Sequence, residues 1–337
     1  MGNTQLSKME RIKRALAGQP VDRPPISFWA HNFARENSVE KLADETLKQF
    51  RLYDWDFIKI QSRASCFAEG WGNRYTPSTE RAVQPKLMEW PIHTVADLKK
   101  VRPLDPEAGA LGEQLAVLRA IRKEVGPEVP LLLTIFAPSM VLSYLLGESA
   151  ARMLELIRSH PREAEAALAL IRDTYADYAR ACLRHGADGI FLGIKGCSPE
   201  QMTREEYARF GLPYDRPILE AAKQGWLNML HLCGPHLYFE VVADLLSPLL
   251  SYGLDPGNPS LSQARDKANR AVIGGVSAKP KIRTMTPEQV AAEVEAAIQD
   301  TDGKGMMIGP GCSISPDTPE ANLRAAREAV ERRRKQG

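Results

Sequence analysis

The chain has 337 residues, 44% of them apolar and 26% charged, which describes a water-compatible globular protein long enough to bury a large core without staples. Its 44 basic and 42 acidic residues leave a net charge of +2, too little for the broad cationic field of a nucleic-acid binder. Five cysteines, an odd count without dense spacing, argue against a secreted disulfide framework. The opening MGNTQLSKMERIKRAL lacks the apolar core of a signal peptide, and Leu6 stands where myristoylation wants Ser or Thr. The longest apolar runs, such as LLLTIFA within 130–138, are too short to span a bilayer. A cytoplasmic location, with no membrane and no nucleic acid as partner, is expected.

Helices and strands alternate along the chain. Ser7–Ala17 reads as a helix, with Ser7 as N-cap, Glu10 three residues on and Gly18 at its end. The Pro-led run Arg23–Ala30 reads as a strand, Val39–Phe50 as a helix, and Trp55–Gln61 (WDFIKIQ) as a strand of period two. From Cys66 to Pro91, scattered Gly, Pro and aromatics predict an elaborated loop or hairpin in which Glu69 and Trp71 would shape a lid. Helices follow at Thr94–Val101 and Glu107–Val125, then a strand at Val129–Pro138. Helices at Ser149–Ser159 and Pro161–His185 precede a strand at Ala187–Ile194. A helix over Thr203–Gln224 leads to the strand Trp226–Cys233 (WLNMLHLC), then a helix at Leu237–Leu246 and a short strand at Leu249–Leu254. Helices at Ser260–Asn269, Thr286–Thr301 and Thr318–Lys335 alternate with strands at Ala271–Val276 and Gly305–Gly309.

These are about eight strands separated by helices, and the strands are continuous apolar runs, as in a parallel sheet covered on both faces. Within this length they suit a (β/α)8 TIM barrel with an N-terminal helical extension, spanning 1–337 as a single domain. A doubly wound open sheet is the alternative, but no GxGxxG follows the first strand and no Walker A run occurs. The closing Arg332–Lys335 run fits a solvated helix end that complements the helix dipole.

In a barrel, chemistry gathers where strands end. His231 and Cys233 close one strand two residues apart, so their side chains share one side of it. Cys312 follows the last strand in Gly309-Pro-Gly-Cys312, across the same mouth. One imidazole and two thiols are a ligand set that Zn2+ favours, and three protein ligands leave an open coordination position. On spacing alone, a core histidine and a small buried cysteine read equally well. His31 and Gln61 end the first two strands and point to the mouth. Lys195, two residues before Cys197, is a candidate for an anionic substrate tail. Asp255 is a candidate to bind substrate or to orient His231, against an Asx turn before Pro256. His236 and His185 read as surface and helix-end residues, Cys182 as core, and Cys66 has no visible partner.

The opening MERIKRALAGQPVDRPPISFW, the segment LHLCG at 230–234 and GPGCSISPDTPEANLRAA at 309–326 resemble the uroporphyrinogen decarboxylase superfamily. More narrowly they resemble its zinc-dependent branch, which moves methyl groups from methylated corrinoid proteins to thiols such as coenzyme M. That resemblance implies zinc on His231, Cys233 and Cys312, methylcobalamin carried by a partner corrinoid protein, and a small thiol acceptor bound as the zinc thiolate. The fourth ligand is open: water, Glu148, Asp255, or nothing stable. The chain carries no Asp-x-His-x-x-Gly corrinoid signature of its own. Decarboxylases of the superfamily grip a porphyrinogen with paired arginines after the first strand, whereas the stretch Phe28–Arg35 offers one arginine. The aspartate expected after the second strand is also missing. A metal-free lyase acting on a carboxylated tetrapyrrole is therefore the alternative reading.

Overall fold

The structure, a computed structural model, describes residues 5–336, with only the backbone of Val242 and of residues 333–336. The myristoylation reading at Met1–Gly2 lies outside these residues. Helix α1 (Lys8–Leu16) begins where Ser7 Oγ accepts the Glu10 N–H at 3.1 Å. Helix α2 (Val39–Tyr53) leads into strand β1 (Ile58–Ile60). A short helix α3 (Cys66–Glu69) and an antiparallel hairpin of β2 (Arg74–Thr76) and β3 (Lys86–Glu89) fill the segment expected to be elaborated. Then come α4 (Gly109–Val125), β4 (Leu131–Phe136), α5 (Pro138–Leu145), α6 (Ala150–Ser159), α7 (Pro161–Arg184) and β5 (Gly189–Ile194). The chain continues through α8 (Arg204–Phe210), α9 (Leu212–Ala221), β6 (Met229–Leu232) and β7 (Leu249–Tyr252). It closes with α10 (Leu261–Ala268), β8 (Ala271–Val276), α11 (Pro287–Thr301), β9 (Met306–Pro310) and α12 (Glu320–Gln336).

Strands β1, β4, β5, β6, β7, β8 and β9 are neighbours in that order, every pair parallel, in a curled seven-stranded sheet of TIM-barrel-like form. The strand expected at 23–30 is not a regular strand. It makes isolated parallel bridges, Ile26 to Ile308 and Ala30 to Ile314. It nonetheless stands between the sheet's two edges: Ser27 N donates to Ile308 O at 3.1 Å, and Asp56 N donates to Ile26 O at 2.9 Å. Pro24 and Pro25 bring no N–H, and the Ile26 N–H goes to the Asp56 carboxylate at 2.8 Å, so no ladder forms.

Other expectations shift for local reasons. The helix expected at 203–224 is two helices. A Cβ at Gly211 would lie 2.3 Å from the Tyr207 ring, and Pro213 sits in the first turn of α9, where its missing N–H costs nothing. The strand expected to run to Pro138 stops at Phe136, and the unexpected α5 starts on Pro138 as its first-turn proline. The expected helices at 94–101 and 237–246 are single stretches of 3-10 helix, Val95–Lys100 and Phe239–Asp244. No described helix is long and apolar enough to cross a membrane.

Alternation along the strands sorts side chains into two cores. One set, including Ile58, Leu133, Ile190, Leu230 and Ile308, packs against the helices. The other points inward: Phe57, Leu132, Phe191, Met229, Leu249 and Met307 cluster with Ile12 and Ala15 of α1. Along each inward row the chemistry changes toward the strand's end. The β6 row runs Leu227, Met229, His231, Cys233, and the β1 row runs Phe57, Lys59, Gln61. An apolar plug thus lies beneath a polar layer.

Candidate metal centre at the strand ends

His231, Cys233 and Cys312 each present one ligand atom, and the three atoms lie within 4.8 Å of one another. Among the described residues this is the one cluster of three or more His, Cys, Asp or Glu so arranged. Cys312 reaches it because Gly311 lets the backbone come close: a Cβ there would sit 2.7 Å from Gly253 Cα at the end of β7.

His231 is 3% exposed, and its ring stacks on Phe191 with centroids 5.1 Å apart. In the β6–β7 register His231 sits opposite Ser251, and Nδ1 lies 3.0 Å from Ser251 Oγ. Asp255, expected as a possible orienting partner, is exposed beyond the end of β7; Ser251 holds the ring instead. Nε2 is buried and has no nitrogen or oxygen partner; the ring interacts with the Cys312 sulfur instead. A buried imidazole nitrogen left unpaired is costly unless something binds it. The two sulfurs act as one electrostatic unit. The Cys233 S–H directed at Cys312 holds the Cys312 sulfur well below the ordinary thiol range, and the same contact, with burial, pushes Cys233 up. A buried imidazole nitrogen beside two cysteine sulfurs fits a borderline-soft divalent cation such as zinc, for which these are preferred donors.

A cavity of about 250 Å3 opens onto this cluster. His31 and Gln61 line it, as their strand-end positions predict. Lys195 does not: it is exposed, although its charge reaches Cys233 and acts to make that thiol more acidic. Glu148, weighed as a fourth ligand, lines the cavity wall but is exposed. Glu69 pairs with Arg63 at 2.8 Å, and Trp71 is buried against Tyr175, so neither forms a lid. The hairpin contributes Tyr75, Gln84 and Pro85 instead. His236 pairs with Glu200 at 2.6 Å on the surface, His185 with Glu107 at 3.3 Å at a helix end, and Cys66, Cys182 and Cys197 are buried.

Two residues of the site were not singled out from the sequence. Ser251 is one. The other is Lys59, inward on β1 between Phe57 and Gln61, 5% exposed, with Nζ 4.2 Å from the centroid of the same Phe191 ring that carries His231. Burial lowers its pKa to about 7. Counting back by two from Gln61 would have placed Lys59 inside.

Relatives and solved structures agree with this architecture. A methylcobamide:CoM methyltransferase of Methanosarcina mazei is 24% identical over 95% of this chain and 96% of its own length. A uroporphyrinogen decarboxylase of Gloeobacter violaceus is 29% identical over 94% of this chain and 95% of its own. Among solved structures, a methyltransferase from Methanosarcina mazei superposes with a TM-score of 0.79 at 20% identity, covering 97% of this chain and 99% of that one. The profile of the uroporphyrinogen decarboxylase (URO-D) family matches residues 7–333, and the chain belongs to that family.

Proposed function

We propose that this chain is a zinc-dependent methyltransferase, moving a methyl group from a methylated corrinoid carried by a partner protein to a small thiol bound at the cluster as the thiolate. The observation that carries the reading is the convergence of the buried His231 ring and two cysteine sulfurs, one ligand atom of each within 4.8 Å of the others. His231, Cys233 and Cys312 would hold the metal, and bound zinc would supply the positive charge that keeps a coordinated thiol deprotonated. With a metal on Nε2, His231 would carry its hydrogen on Nδ1 and donate it to Ser251 Oγ, 3.0 Å away, which would hold the ring in that tautomer. The apolar floor of Phe191 and Met229 keeps bulk water from beneath the cluster. The activity named for the Methanosarcina relative, methyl transfer from a methylcobamide to CoM, supports the methyl acceptor's being a thiol. We read residues 25–30 as the eighth stave of one (β/α)8 barrel spanning the chain after its first helix, working in the cytoplasm.

The decarboxylase reading has the support of relatives of that name. Among the described residues no arginine lines the cavity, however, and Arg35 turns outward to Asp44 at 2.6 Å. A substrate bearing many carboxylates would meet no forked cation there.

Elemental analysis of the purified protein beside His231→Ala and Cys312→Ser tests the reading. The expected result is near-stoichiometric zinc in the parent, lost in both variants together with methyl transfer from methylcobalamin to a thiol. Equal metal content in all three proteins would remove the site.

A further inference from the structure

A line of four buried or half-buried polar residues leads to the cluster from the side. Glu36 is 2% exposed; its Oε2 accepts the Ala64 N–H at 3.1 Å, and its Oε1 lies 2.5 Å from His31 Nδ1. His31 Nε2 lies 2.7 Å from Gln61 Nε2, and Gln61 Oε1 accepts from Lys59 Nζ. With Lys59 as the ammonium, one assignment of hydrogens satisfies every member. An ammonium has no lone pair to offer, so Gln61 must present its oxygen to Lys59 and its N–H to His31. His31 Nε2 is then an acceptor, its hydrogen is on Nδ1, and that N–H donates to the Glu36 carboxylate. In that state the chain has one direction, from the Lys59 ammonium to the Glu36 carboxylate.

The cation end matters because of charge counting at the cluster. Two thiolates and a neutral imidazole carry −2, a divalent metal brings the sum to zero, and an acceptor bound as thiolate takes it to −1. An uncompensated charge in an enclosed site is costly. Of the charged side chains that line the cavity, Lys59 is buried, while Lys279 and Glu148 are exposed and solvated. Lys59 is surrounded by the Trp29 and Phe191 rings, 5.6 and 4.2 Å from its Nζ, where an apolar side chain would pack without the desolvation cost.

We infer that Glu36, His31 and Gln61 are positioning residues that hold the Lys59 ammonium beside the sulfur cluster as the counter-charge for an acceptor bound as thiolate. The inference rests on the proposed metal-thiolate reading and adds to it a residue set that no ligand spacing reveals.

The test separates charge from space. Cobalt is substituted into the parent protein, Lys59→Met, Gln61→Leu and the double variant, and metal content is measured in each. Each protein is then titrated with 2-mercaptoethanol, which adds a negative charge on binding as thiolate. A second titration uses imidazole, which binds neutral. The sulfur-to-cobalt absorption band reports the first and the cobalt ligand-field bands report the second. K59M should weaken thiol binding about tenfold or more while imidazole binding stays within about twofold. Q61L should weaken thiol binding less, and should add nothing in the K59M background, because Gln61 acts through Lys59. Unchanged thiol affinity in K59M, or equal losses for both ligands, would overturn the inference. If K59M loses its metal, Q61L carries the test, and unchanged thiol affinity there overturns the inference equally. A parent protein that takes up no metal would instead sink the reading beneath it, so the two failures are distinguishable.

Discussion

Two buried polar clusters sit at opposite ends of the strands, and they are finished differently. Where the strands begin, Arg11 binds both oxygens of Asp22 at 2.7 Å and Asp56 Oδ1 at 2.8 Å. Arg23 binds Asp56 at 2.6 Å and Glu331 at 2.8 Å. Two guanidinium forks thus meet two buried carboxylates in mutually satisfying geometry. Where the strands end, His231 keeps a buried nitrogen with no nitrogen or oxygen partner, and two sulfurs stand against it, one made more acidic by the other. The contrast separates two uses of buried polarity. A set that consumes all its own hydrogen bonds serves the fold, since removing one member strands the others. A set left incomplete is destabilising by itself and makes sense only if something else completes it.

That distinction can be broken by experiment. The largest effect is expected at the finished cluster: Asp56→Ala takes from Arg11 and Arg23 the carboxylate they share, leaving buried guanidinium N–H groups without acceptors, and should cost about 3–5 kcal/mol in urea denaturation of the metal-free protein. Any protein that still folds should keep its metal stoichiometry. A variant with normal stability and lost metal would reverse the roles assigned to the two ends.

At the unfinished cluster, Ser251→Ala removes the group that holds His231 by Nδ1. Metal affinity, read by chelator competition, should fall about 10- to 100-fold. Metal-free stability should change far less than in the Asp56 variant. Unchanged affinity would show that the ring is held by its stack on Phe191 alone.

Asp215 sharpens the comparison from the middle. It is buried, accepts the Tyr207 O–H at 2.8 Å on one oxygen, and has no partner on the other. Burial raises its pKa to about 7 from an ordinary 3.8. The folded chain then holds a proton that the unfolded chain has released. Its contribution to stability is full below about pH 4 and is lost as pH rises through 7. Between pH 6 and 8 the metal-free protein should lose ~1 kcal/mol from this group. In Asp215→Asn that part of the slope should vanish, as denaturation midpoints across the range would show; an unaltered slope would mean that Asp215 is ionised throughout.

Much of the architecture is legible in the chain itself. Caps such as Ser7, Ser149 and Ser260 accept the N–H three residues on, as their positions predict. The inward row of β6 follows from alternation, and with it the shared side of His231 and Cys233. The motifs at 230–234 and 309–326 are local strings, and the family they point to is the one whose profile matches. Where reading from sequence fell short, the deciding contact was distant. Gly211 breaks a helix because of the Tyr207 ring. The run at 23–30 fails as a strand because Asp56, 30 residues on, takes the Ile26 N–H.

Alternation, capping and the Gly and Pro punctuation act over a few residues, so the chain by itself determined the succession of helices and strands and which side of each strand turns inward. Sheet register and ring closure couple residues scores of positions apart, and only the folded form decided them. Register set Ser251 opposite His231, curvature of the sheet carried Cys312 across to Cys233, and the chain from Glu36 through His31 and Gln61 tied down the Lys59 ammonium. Those placements depend on where one backbone lies against another, which no local pattern of residues encodes.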